Sequence, residues 1–111
     1  MQLTDLTFLT SFTKGDKDKM AKYINMFLEA APGIITGMET HMANNDWAQL
    51  RTAAHSLKPQ AGYMGFKQGE ALLKTIEQCA GEQTDLDKIP AHLAEFKTMF
   101  EQAKAELTAA L

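Results

Sequence analysis

Asp46-Trp47-Ala48-Gln49-Leu50-Arg51-Thr52-Ala53-Ala54-His55-Ser56-Leu57-Lys58-Pro59-Gln60-Ala61-Gly62-Tyr63-Met64-Gly65 is the stretch on which the fold turns. Trp47, Leu50, Ala54, Leu57, Ala61 and Met64 recur at 3-4-3-4-3 spacing, the interval that stacks side chains on one face of an α-helix. Asp46 suits the helix start as a cap and Gly65 suits its end as a stop. A single apolar stripe of this kind predicts a helix that packs against other helices.

The same period extends in both directions. Downstream, a helix is expected from about Lys67 to Ala80, with Leu72, Leu73, Ile76 and Cys79 or Ala80 inside. A loop over Gly81 to Asp87 comes next, with caps available at Thr84, Asp85 and Asp87. The last helix carries Ile89, Leu93, Phe96, Phe100, Ala103 and Leu107, and Pro90 fits its first turn. Upstream, Lys17 to Ala31 carries Met20, Ile24, Phe27, Leu28 and Ala31; the period resumes beyond Pro32 at Ile34-Ile35, Met38 and Met42. Pro32 either kinks one long helix or opens a new one. A short first helix from about Thr4 to Phe12, capped by Thr4 or Asp5, places Leu6, Leu9 and Phe12 on one face. Gly15 supplies a left-handed stop after it, and Asp16 a cap for the second helix. No run of useful length alternates with period 2, and Ala, Leu, Met, Lys, Glu and Gln dominate. The expected architecture is all-α: an antiparallel up-down four-helix bundle with a short additional N-terminal helix closing one end.

Composition narrows the function classes. The 111 residues form one domain, 1–111, with 45% hydrophobic and 23% charged residues. The net charge of −3 argues against nucleic acid or an anionic membrane as partner. One cysteine, Cys79, excludes an internal disulfide. There is no basic-then-apolar start and no apolar run of about 20 residues, so neither a secretory signal nor a membrane span is expected, and the cytoplasm is the default compartment. The opening Met1 sets the expectation of a free-standing protein, and a monomer is expected.

His55 lies about 130° from the centre of its helix's apolar stripe, which predicts exposure to solvent. Arg51, Lys58, Pro59 and Gly62 stand at i−4, i+3, i+4 and i+7 and share its side. Imidazole is a good nucleophile near neutral pH because its neutral form is well populated there. A phosphoryl group on one ring nitrogen brings about two negative charges, which Lys58 and Arg51 are placed to offset. The other ring nitrogen then needs an acceptor to fix the tautomer. Pro59 forfeits a helix hydrogen bond and crowds the carbonyl of His55, at a usual cost of ~3 kcal/mol or more, so a distortion or break is expected there. The plainer reading of each residue is a solvated helix surface.

The run Ala54-His55-Ser56-Leu57-Lys58, with Gly65 closing the helix, resembles the histidine-containing phosphotransfer (HPt) domain of two-component phosphorelays. Phe27-Leu28-Glu29-Ala30-Ala31-Pro32, the entry Asp46 to Arg51 and the stretch Leu72 to Glu77 fit that family's order. The resemblance implies that His55 is the phospho-accepting residue, with Lys58 beside the phosphoryl group. Glu77 resembles the family position, often glutamine, whose side chain hydrogen-bonds the histidine ring. A glutamate there favours the imidazolium but repels a phosphoryl group that comes too close. The implied partners are receiver (response regulator) domains, with a hybrid histidine kinase as a further candidate; the receiver supplies magnesium and most of the catalysis, and the chain has no cofactor of its own. Pro59 stands where many members have glycine; it keeps a docking role. Gln60 is a candidate phosphoryl contact. Gly62, Tyr63, Phe66 and Phe8 or Phe12 are candidate docking residues.

Three rivals compete on the residues alone. An interaction module would bind a signalling partner through the same face without phosphorylation. A metal or haem bundle would use His41, His55 and His92, but Glu39-Thr40-His41 is not the Glu-x-x-His pattern of di-iron bundles and His55 points outward. An independent enzyme needs a phosphate loop or a nucleophile–base set, and neither motif occurs. The expectation is a phosphocarrier, not an enzyme.

Overall fold

The computed structural model describes residues 2–111; Met1, on which the expectation of a free-standing protein rests, lies outside them. Five helices occur in order: α1 (Thr7–Phe12), α2 (Lys17–Ala43), α3 (Trp47–Tyr63), α4 (Lys67–Glu82) and α5 (Ile89–Ala109), with a 3-10 turn at Leu86–Lys88 before α5. The links between α2 and α3 and between α3 and α4 span 44–46 and 64–66. Links this short cannot cross a helix length, so neighbours run antiparallel. α3 packs most extensively on α4, and α2 on α3, α4 on α5 and α2 on α5 close the ring. α2 alone, at about 1.5 Å per residue, accounts for the 42 Å long axis.

The stripes read from the sequence form the core. Leu50, Ala54, Leu57, Ala61 and Met64 of the α3 stripe are buried, as are all six apolar positions named on α5. Phe27, Phe66, Phe96 and Phe100 interlock through ring contacts at 5.8–6.4 Å. Cys79 is buried there, which raises its thiol pKa. The helix ends obey local chemistry. Asp16 accepts from the N–H groups of Asp18 and Lys19, and Asp46 from that of Gln49. Gly15 and Gly65 both take positive φ.

Of the two alternatives at Pro32 the structure has the one long helix, α2, and α3 passes through Pro59 without a break; packing on both sides outweighs the lost hydrogen bonds. Other expectations need correction. α4 continues through Gly81 to Glu82, where Gln83 turns left-handed, and no side chain of Thr84, Asp85 or Asp87 caps α5. α1 begins at Thr7, whose N–H is taken by Asp5. Phe12 does not share the buried face of Leu9: it is exposed. Phe66 is fully buried, which removes it from any docking surface.

Thr4 is no helix cap because it is used elsewhere. The Glu106 carboxylate of α5 accepts from Leu3 N–H (2.9 Å), Thr4 N–H (2.9 Å) and Thr4 Oγ1 (2.7 Å), tying the N-terminal arm to the bundle. Partial burial works to raise the Glu106 pKa. The hydrogen bonds from Leu3, Thr4 and Gln102 outweigh it and hold the pKa at about 2, below the ordinary 4.5. A pKa depressed in the folded state contributes stability above the unfolded value and loses it as pH falls through the folded one. Glu106→Ala is therefore expected to cost about 2 kcal/mol at neutral pH. In denaturant melts, the difference between wild type and variant should shrink as pH falls from about 4.5 toward 2.

Candidate functional site

His55 sits midway along α3, on the side facing away from the core, with its side chain 67% exposed. The exposure predicted from the apolar stripe is observed. Glu77 reaches it from the facing turn of α4: His55 Nδ1 and Glu77 Oε2 are 2.6 Å apart. The other carboxylate oxygen, Oε1, accepts from Lys58 Nζ at 2.7 Å. Glu77 is only 17% exposed; its contact with Lys58 is partly buried, whereas that with His55 lies open to solvent.

The protonation pattern is set by these contacts. The hydrogen bond from the Lys58 ammonium is the largest influence on Glu77; partial burial opposes it, the His55 hydrogen bond adds to it, and the net effect lowers the carboxyl pKa. Glu77 is then an acceptor with no proton to give. The hydrogen between it and the ring must belong to Nδ1, which leaves the lone pair of the neutral ring on Nε2. Nε2 has no protein hydrogen-bond partner among the described residues. The arrangement is a surface imidazole in a fixed tautomer, with a carboxylate behind it whose charge is balanced by an ammonium.

The structure brings some of the remaining sequence candidates to this triad and turns others away from it. Arg51 lies over Gly81 of α4, where an added Cβ would come within 3.0 Å of its side chain. With Thr52, His55 and Glu77 it lines a hollow of about 190 Å³. Arg51 and Lys58 also border an adjoining open cleft with Lys74, Glu77 and Glu82, so cations outnumber anions there. Gln60 is turned the other way: its amide donates to the Ser56 carbonyl (3.3 Å), and it lines an apolar hollow with Tyr23, Met26, Phe27, Tyr63 and Met64. Gly62 faces Glu70 of α4, and Pro59 is exposed one turn beyond His55.

One feature had only a faint trace in the sequence. Phe8 and Phe12 of α1 stack on each other (5.9 Å) and on Tyr63 (5.6 and 6.5 Å), and Tyr23 of α2 meets Phe12 edge-on (5.6 Å). Phe8, Phe12 and Tyr63 are 50%, 58% and 46% exposed. Clustered apolar rings left this open exceed what a solvated surface needs. Tyr63 stands eight positions after His55, roughly 12 Å along the helix.

Fold and site together define a helical bundle that presents one exposed histidine, held at Nδ1 by a carboxylate that a lysine also contacts. The family model described as the Hpt domain matches residues 22–106, and the chain belongs to that family. Its domains are phosphocarriers of two-component phosphorelays and interact with receiver domains and histidine kinases. No significant match was found among curated proteins or solved structures. No helix among the described residues is long and apolar enough to cross a membrane.

Proposed function

We propose that this chain is a phosphorelay intermediate in which Nε2 of His55 takes a phosphoryl group from the aspartate of one receiver domain, or from a histidine kinase, and passes it to another receiver. The observation that carries this reading is the 2.6 Å contact of Nδ1 with Glu77 on a ring that is otherwise open to solvent. In the step itself, the Nε2 lone pair forms the N–P bond. The P–O bond to the receiver's aspartate breaks, and its electron pair returns to that carboxylate. The Nδ1 proton stays where it is, so no separate base is required, and the ring acquires positive charge that Glu77 faces directly. Lys58 and Arg51 offset the incoming phosphoryl charge. Magnesium, in this reading, belongs to the receiver.

The exposed ring cluster supports a docking role beside the acceptor, since aromatic side chains are enriched where interfaces bind most strongly. Phe12 and Tyr63 serve as anchors, with Pro59 and Gly62 forming the low ground between them and His55. Phe12→Ala is expected to weaken receiver binding about tenfold, a loss of about 1.4 kcal/mol. Isothermal titration against a receiver that donates its phosphoryl group would show this, with the melting temperature nearly unchanged.

The direct test offers the chain a panel of phosphorylated receiver domains. An acid-labile, alkali-stable label on the chain is the expected result. No label from any active receiver would favour an interaction module that binds without phosphorylation.

A further inference from the structure

The carboxylate on Nδ1 has a consequence for the phosphorylated state. Once Nε2 carries phosphorus, the ring holds its remaining proton on Nδ1, and the ring leaves as a neutral imidazole when the N–P bond breaks. If that proton is lost to solvent, the leaving group becomes imidazolate, a far poorer one, and the phosphoryl group is trapped. Retention of the Nδ1 proton thus decides whether His55 can give as well as receive.

Glu77 is built to retain it. Its Oε2 lies 2.6 Å from Nδ1, and an ionised carboxylate can only accept, so it has no favourable contact with a deprotonated Nδ1. An amide in the same place could turn its NH₂ toward a bare nitrogen and stabilise the trapped form. The other charged groups around the ring are Arg51 and Lys58 from α3, and Lys74 and Glu82 of α4 in the adjoining cleft. Arg51, Lys58 and Lys74 favour losing the proton, and Lys58 also balances part of the Glu77 charge through its 2.7 Å contact. Among the described residues, Glu77 is the one anion in direct contact with the ring.

We infer that Glu77 is a positioning residue that keeps the Nδ1 proton on phosphorylated His55 and thereby extends to higher pH the range over which the phosphoryl group can leave. The inference rests on the relay reading and adds to it a property of the charged intermediate.

The test charges wild type, Glu77→Gln and Lys58→Met with phosphoramidate, a small donor that requires no partner. The loss of label is then tracked against pH. Opposite charges in contact shift a titration by about one to three units, and Lys58 places this pair at the low end. In Glu77→Gln the alkaline fall in rate should move to lower pH by about 1 unit, so that phospho-His55 lasts about tenfold longer well above the transition. In Lys58→Met, where the carboxylate is unbalanced, the fall should move to higher pH. Nitrogen-15 NMR of the unphosphorylated rings should show the Nδ1–H tautomer in wild type and a mixture in Glu77→Gln. Superimposable pH profiles in labelled wild type and Glu77→Gln would overturn the inference and leave the relay standing. A wild-type ring that takes label from neither phosphoramidate nor receivers would overturn the relay reading itself.

Discussion

His55→Gln is expected to abolish phosphoryl uptake while leaving the bundle folded. The loss should reach at least about a thousandfold, down to assay background, because the substitution removes the atom on which the N–P bond forms. A glutamine amide nitrogen has its lone pair delocalised into the carbonyl and cannot replace it. The fold should be indifferent: the ring is 67% exposed, and its carboxylate partner keeps the Lys58 contact. Surface changes of this kind stay within about 0.5 kcal/mol, so melting curves of the two proteins should nearly coincide. Phosphoryl transfer from an active receiver to both proteins, with the label tested for acid lability, checks the expectation. Label that persists on the variant would move the acceptor to His41 or His92, both partly exposed.

The bundle was readable because helical period and burial express the same geometry. Every apolar residue named on α5 is buried, and those on α3 fail only at Trp47, which lies at the helix start and is half covered. The outward aim of His55 came from the same angular reasoning. Other features depend on residues far apart in the chain, where spacing carries no information. Thr4 and Glu106 are 102 positions apart, and nothing local announces that Thr4 serves α5 and not α1. Lys58 was expected beside the phosphoryl group; its contact with Glu77 joins residues 19 apart on two helices and appears only once α3 and α4 are packed. The pairing of His55 with Glu77 follows from the family resemblance and not from spacing. Phe12 and Phe66 show the limit for aromatic residues. Hydrophobicity gives both the same preference, but the shortness of α1 leaves Phe12 outside, while the α3–α4 turn folds Phe66 in against Gly69, a residue with no room for a Cβ beneath that ring.

The N-terminal arm supplies the second large effect. Gly65 ends α3 at φ +64, and a Cβ added there would overlap the carbonyl oxygen of Asp5. α1 stops at Phe12 with Thr13 as its cap, and the first left-handed residue is Lys14, not the expected Gly15; Gly15 follows at φ +76 with nothing within 4 Å of the same atom. The two glycines therefore separate two penalties. Gly15→Ala meets only the left-handed backbone cost, about 1 kcal/mol. Gly65→Ala meets that cost and must also push the arm away. This breaks the 3.2 Å bond from Asp5 N–H to the Met64 carbonyl and strains the Glu106 anchor at the adjoining Leu3 and Thr4. The expected total is about 3 kcal/mol, a fall in melting temperature of roughly 12 °C. The displaced arm carries α1, so Phe8 and Phe12 should separate from Tyr63, and receiver binding should weaken even where the protein is fully folded. Thermal melts of both variants, with receiver titrations well below the transition, measure the two consequences separately. If Gly65→Ala proved no more costly than Gly15→Ala, the arm would be yielding freely, and the packing of residues 3–6 on the bundle would contribute little to holding α1 beside the acceptor helix.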